Sequence, residues 1–172
     1  MDVTPHSLRK LVDAIVDGNN DIFSRLMDEW PALASASFSP GVERQVTRPG
    51  TNFIKEIGHC IYRGDTALHF AAAAYRPEMA KKLIHCGADV RAKNRRGSEP
   101  LHAAAFGNPA SPRWNPAAQA ATIVYLIEAG ADPNAQNMDG ATPLHRAVRT
   151  RCAGAVRSGL PASGGSGGRD GN

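Results

Sequence analysis

The sequence predicts an all-α repeat fold, an α-solenoid of stacked helix–turn–helix units whose last unit is incomplete. Three observations carry that prediction. The string GDTALHFAA at Gly64 returns as GSEPLHAAA at Gly97, 33 residues on, and as GATPLHRAV at Gly140, 43 residues further. A second string travels with the first: LIHCGADVRAKN at Leu83 returns as LIEAGADPNAQN at Leu126, again 43 residues apart. The composition agrees, because aromatic residues make up only 6% of the 172 residues while alanine is abundant. That balance favours helices packed through small side chains over a β-sandwich.

The longer second interval places ten extra residues between Leu101 and Leu126. They fall in GNPASPRWNPAAQ, whose prolines and glycine no helix interior accepts. The 33-residue period, together with the T-P-L-H-x-A string, resembles the ankyrin repeat. The resemblance is good from Gly64 to Val148. It reaches back with less fidelity to about Ser7, where LVDAIVDGNNDIFSRLM keeps a two-helix rhythm without the string. It implies one domain over residues 1–160, followed by a flexible Gly/Ser-rich tail at 161–172. Within the domain the expected parts are a capping unit at 5–37, a long finger at 38–63, units at 64–96 and 97–139, and a partial unit at 140–160.

The first unit alternates Arg9, Lys10, Asp13, Asp17, Arg25, Asp28 and Glu29 with Leu8, Leu11, Ile15, Ile22 and Leu26, which suits a terminal unit with a polar outer face. The stretch FSPGVERQVTRPGTNFIKEIGHCIYR then has Pro-Gly twice, with Val42, Val46, Phe53, Ile54, Ile61 and Tyr62 between and after, and predicts an extended hairpin. In each following unit, Gly64, Gly97 and Gly140 occupy tight turns with positive φ. Thr66 and Thr142 cap the first helices, and Glu99 in the same place is expected to cap less well. Pro100 and Pro143 fit the first helical turn. Leu68, Leu101 and Leu144 point inward, and Ala71, Ala72, Ala104 and Ala105 let units stack closely. The resemblance implies that His69, His102 and His145 hydrogen-bond backbone and tie neighbouring units together. In the second helices Leu83, Ile84, Leu126 and Ile127 fill the stack, and Gly87 and Gly130 end the helices in left-handed caps. The segments beyond them project as β-turn fingers.

The last unit departs from this pattern. Gly159 stands where Leu83 and Leu126 stand, and Pro161 follows. By analogy with large-to-small core changes, such a loss costs on the order of 2–5 kcal/mol. The unit is therefore expected to be incomplete and uncapped, through truncation or because a partner covers it, and self-association through that end is one consequence.

Composition and motifs also exclude functions. No run approaches the roughly 20 apolar residues of a membrane span, and charges interrupt the N-terminus too often for a signal peptide. Cys60, Cys86 and Cys152 are odd in number and widely spaced, which suggests reduced thiols and a cytoplasmic location. There is no Walker loop, G-x-S-x-G or paired-carboxylate motif, so neither an enzyme nor a cofactor is expected. Histidines one per unit lie roughly 10 Å apart, too far to share a metal. His59–Cys60 with His85–Cys86 is the remaining metal candidate, and no metal is expected there.

The resemblance implies a protein-interaction module that binds an unidentified partner on its concave face, through the finger tips and the exposed side of each first helix. Carried over residue by residue, those positions are Tyr62, Arg63 and Asp65 with Ala73 and Ala74; Arg95, Arg96 and Ser98 with Phe106; and Met138, Asp139 and Ala141 with Arg149 and Thr150. Arg63, Arg95, Arg96 and Arg149, with Arg91 and Lys93 close by, outnumber Asp65 and Asp139. Tyr62, Phe106 and Met138 supply apolar anchors. The pattern points to an acidic stretch flanking one or two apolar side chains. The alternatives are a solvated arginine surface that selects no partner by charge, and polyanion or nucleic-acid binding through RAKNRR, from Arg91 to Arg96. The next finger, NAQNMDG, carries no basic residue, which argues against nucleic acid. Trp114, inside the insert, is expected to fold back onto neighbouring helices, with an exposed anchor as the alternative.

Overall fold

The computed structural model describes residues 4–39, 53–108, 111 and 113–150. Val42 and Val46, Cys152, Gly159, Pro161 and the 161–172 tail lie outside the described residues, and so do the expectations placed on them.

Local chemistry sets each helix start. In α1 (Pro5–Asp17) the Thr4 hydroxyl accepts the Ser7 N–H at 3.2 Å, and Pro5 fills the first turn. In α2 (Asn20–Glu29) the Asn19 side chain accepts the Ile22 N–H at 3.0 Å. A 3-10 turn at Pro31–Ala34 follows. A hairpin comes next, with β1 (Phe53–Ile54) antiparallel to β2 (His59–Cys60), Phe53 opposite Cys60 and Ile54 opposite His59. The remaining elements are α3 (Ala67–Ala73), α4 (Pro77–His85), α5 (Pro100–Ala105), α6 (Pro116–Glu128) and α7 (Pro143–Arg149).

The helices form two layers. Helices α1, α3, α5 and α7 stand side by side, each against the next, and α4 packs on α6 behind them. Leu8, Leu11, Ile15, Phe70, Leu83, Leu101, Ile123 and Leu126 fill the space between layers. Ile84 and Ile127 pack against that core half-buried. Ala71, Ala72, Ala104 and Ala105 are fully buried where α3 meets α5, as their small size allows. Ile22 does not join the core; it is 38% exposed, and Phe23, one residue along, takes the inward position on α2.

Histidines lock the units together. The His69 Nδ1 accepts the Thr66 N–H at 3.1 Å, so its ring proton sits on Nε2, which donates to the Ser98 carbonyl of the next unit at 3.0 Å. His102 repeats this, accepting from Glu99 N–H at 3.2 Å and donating to the Ala141 carbonyl at 3.1 Å. His145 accepts the Thr142 N–H at 3.2 Å but is exposed, and no following unit lies among the described residues. Glu99 forms the capping pair with His102, but its side chain makes no cap hydrogen bond, in keeping with the weaker cap expected there. The cost is a carboxylate 1% exposed whose Oε2 has no hydrogen-bond partner. Burial pushes that carboxyl up, although Lys93 Nζ at 3.9 Å and Arg91 oppose the shift.

The turn at Gly64 is tight for two reasons. Its φ is 86°, and a Cβ built there would lie 3.0 Å from the Lys93 carbonyl oxygen and the Asn94 Cα. Gly140 has a φ of 72° with nothing within 4 Å of such a Cβ. Gly64→Ala is expected to lower the unfolding free energy by about 1–3 kcal/mol, clearly more than Gly140→Ala. Urea unfolding of both variants checks this, and equal losses would show that the close approach at Gly64 contributes nothing.

The insert lies between α5 and α6, where the sequence placed it. Trp114 folds back half-buried onto the core and donates from Nε1 to Gln119 Oε1 at 3.0 Å. Gln119 in turn donates to the Ala104 carbonyl at 2.9 Å, and Tyr75 Oη donates to the Phe106 carbonyl. Arg76 reaches the other way, to the carbonyls of Ile15 and Val16, both at 3.3 Å, and closes the end of α1.

Candidate functional site

The fingers are joined edge to edge by backbone. Arg95 N–H donates to the Arg63 carbonyl at 2.7 Å, and Met138 N–H donates to the Arg96 carbonyl at 2.9 Å. Within each finger an asparagine holds the turn. Asn94 Oδ1 accepts from Arg96 and Ser98 N–H, and Asn137 Oδ1 accepts from Asp139 and Ala141 N–H. Such local bonds are the reason asparagine suits these positions. The first finger has Ile61 where the others have asparagine.

Asp65 supplies the missing acceptor. Its Oδ2 accepts the Tyr62 N–H at 2.8 Å and stands 3.2 Å from His59 Nε2, while its Oδ1 accepts from Asn94 Nδ2 at 2.8 Å. Burial pushes the Asp65 carboxyl up. The His59 hydrogen bond and the Tyr62 N–H outweigh it and hold the group below the usual carboxylate range. This corrects the expectation that Asp65 is a finger-tip surface residue: it is fully buried, turned inward to organise two fingers. Ser98 is corrected likewise. It is buried, with its carbonyl taken by His69 and its Oγ accepting from Arg146 Nη2 at 3.1 Å. Ala73 is also buried, and Ala74 is half-buried.

The hairpin lies on the α3 part of the concave face. The His59 ring meets Phe70 edge-on at 5.3 Å, and a Cβ on Gly58 would stand 3.5 Å from the Phe106 ring. A groove of about 710 Å³ remains beyond it, over α7 and the last two fingers. Seven of the expected contact residues line this groove: Tyr62, Arg96, Phe106, Asp139, Ala141, Arg149 and Thr150. Arg63, Arg95 and Met138 are exposed on the fingers outside it, Met138 by 78%.

Charge within the groove is uneven. Arg96 Nη2 is 2.8 Å from Asp139 Oδ2, and that hydrogen bond and charge raise the arginine further. The Arg96 guanidinium also lies 5.9 Å from the Tyr62 ring centre. Arg149 is exposed. Arg146, half-buried, also lines the groove, and it lines a smaller cavity of about 180 Å³ under the hairpin with Ser98 and Phe106. Burial, with Arg96 next, pushes its guanidinium down. Leu144 forms the floor, and Val148, 62% exposed, stands at the side.

Sequence reasoning missed Arg146, Leu144 and Val148. The signal was present, because Arg146 and Arg149 are three apart on one helix and therefore share a face. On the RAKNRR finger, carboxylates face three of the cations: Arg91 is 3.4 Å from Asp132, Lys93 is 3.9 Å from Glu99, and Arg96 pairs with Asp139. Among the described residues, no three histidine, cysteine or carboxylate side chains gather as a metal-holding set. No described helix is long and apolar enough to cross a membrane.

A family model described as Ankyrin repeats (3 copies) matches residues 11–114, and one described as Ankyrin repeats (many copies) matches residues 119–151. The Danio rerio protein named Notch-regulated ankyrin repeat-containing protein A is 32% identical to this chain over 77 residues, covering 41% of this chain and 69% of the relative.

Proposed function

We propose, on the premise that this chain belongs to the ankyrin-repeat family, that it docks a segment of a partner protein in the groove over α7 and the last two fingers. Ankyrin repeats are in general protein-interaction modules. One observation carries the choice of face: the aromatic rings of Tyr62 and Phe106 and three guanidinium groups share one groove with a single carboxylate, Asp139. Aromatic and arginine side chains around a concave apolar floor are the usual make-up of an interface centre. The partner segment is acidic, with an apolar side chain next to the acid. The groove's volume falls in the ordinary range for binding sites, roughly 300–1,000 Å³.

Affinity capture from the source cell's lysate, with and without nuclease, tests the reading beside a variant in which Arg95, Arg96 and Arg149 become glutamate. A specific protein is expected to survive nuclease and to be lost about tenfold or more with the variant, equivalent to about 1.4 kcal/mol. Full retention by the variant would reject the face. Recovery dominated by nucleic acid would favour phosphate contacts by the basic finger.

A further inference from the structure

We infer that Arg146 is the anion anchor of this groove: with Arg149 it receives a glutamate or aspartate side chain of the partner, while the neighbouring apolar side chain of that partner rests on Val148, Leu144 and Phe106. This rests on the docking reading above and adds to it the residue that selects the partner.

The three guanidinium groups of the groove are not equivalent. Arg96 already has a carboxylate, Asp139, at 2.8 Å, so a second acid there gains little. Arg146 has only a neutral oxygen, Ser98 Oγ at 3.1 Å, and no carboxylate among the described residues lies within ion-pair distance of it. It is half-buried, and its neighbours Arg96 and Arg149 carry like charge. Asp139, already paired with Arg96, offsets the Arg146 charge only weakly, so this partly desolvated guanidinium is a poorly compensated charge, and a carboxylate offsets it best through the planar fork. Ser98 fixes one nitrogen of that fork, so less freedom is lost when an acid arrives.

Residues 151–172 carry Arg151, Arg157 and Arg169 against Asp170, which is the wrong sign for the groove. Another groove, about 570 Å³ along α1 and α2, mixes Lys10 and Arg25 with Asp13, Asp17 and Glu29, and so offers no single charge by which to select a partner.

The test uses the full chain and three short Gly/Ser-flanked peptides. One has a leucine–glutamate–glutamate–leucine core, one has glutamine for glutamate, and one has lysine. Arginine Nε–Hε resonances are followed by NMR during titration. The glutamate peptide is expected to shift Arg146 and Arg149 while Arg96 moves little, and the glutamine peptide to bind about tenfold more weakly. Arg146→Met is expected to lose that discrimination, and Arg146→Lys, which keeps the charge and gives up the fork, to recover only part of it. Thermal melts of both variants identify any loss due to unfolding, and Arg149→Gln, on an exposed side chain, gives a partial loss independent of that. If the glutamate peptide moves Tyr62, Phe106 and Val148 but leaves Arg146 unmoved, the anchor is wrong and the docking groove stands. If it moves nothing in the groove, the anchor is also wrong, and the lysate capture alone then decides the docking reading. A short DNA duplex that shifts Arg146 more than the peptide overturns the inference in favour of phosphate.

Discussion

Asp65→Ala is expected to lower the unfolding free energy by about 3–5 kcal/mol, the largest loss from any single polar side chain of the stack. The side chain is fully buried and serves donors from three places: Tyr62 N–H in its own finger, Asn94 Nδ2 in the next, and His59 in the hairpin. Alanine leaves all three facing a space without an acceptor. Deleting one partner of a buried polar group costs more than the bond itself is worth, because the remaining group keeps its desolvation penalty. The contrast is Ser98→Ala, at the matching position of the next unit, where Asn94 does the organising; about 1 kcal/mol is expected there. Urea unfolding of both variants measures the difference. A loss under about 1 kcal/mol for Asp65→Ala would show that the fingers hold without it.

Acid is expected to weaken the protein through its buried histidines. Burial lowers the His102 pKa from 6.5 to about 4, and burial pushes His69 down as well. The geometry requires this, since each Nδ1 accepts a backbone N–H and has no room for a proton. Between those values the unfolded chain binds a proton that the folded chain refuses. Stability is therefore full above 6.5 and falls as pH drops toward about 4, by about 3 kcal/mol for His102 alone. Asp65 acts in a different window. Its folded carboxyl is held below 3.8, so its contribution is present above that value and is lost only in stronger acid. Denaturant unfolding as a function of pH separates the two. In His102→Gln a carboxamide can still donate to the Ala141 carbonyl without titrating, and the slope between 6.5 and 4 should flatten. An unchanged slope would refute the assignment.

The stack was legible because its causes are local and repeat. A glycine at each turn, a threonine or proline at each helix start, and a histidine at the third helical position all serve one geometry, and a fixed interval brings them back. What stayed hidden depends on contacts distant in sequence. Asp65 looked like a surface finger residue because nothing near it shows that Asn94, 29 residues on, will donate to it. Ala73 looked exposed because no pattern in FIKEIGHC says the hairpin will lie over α3. Arg146 was passed over for its neighbour Arg149, although the two share a face. Trp114 folds back as expected, and the Gln119 side chain, five residues on, accepts its indole N–H.

The hairpin across α3 alters what kind of array this is. In an ordinary solenoid each module knows only its immediate neighbour, so modules can be added, removed or exchanged, and the energy is a chain of nearest-neighbour terms. Here His59 packs on Phe70, Gly58 stands against Phe106, and Tyr62 shares a groove with Arg146 of the last described helix. A single excursion of the chain thus takes part in three successive modules. The modules are not interchangeable: excising one strands the hairpin, and the array is expected to melt as an indivisible block.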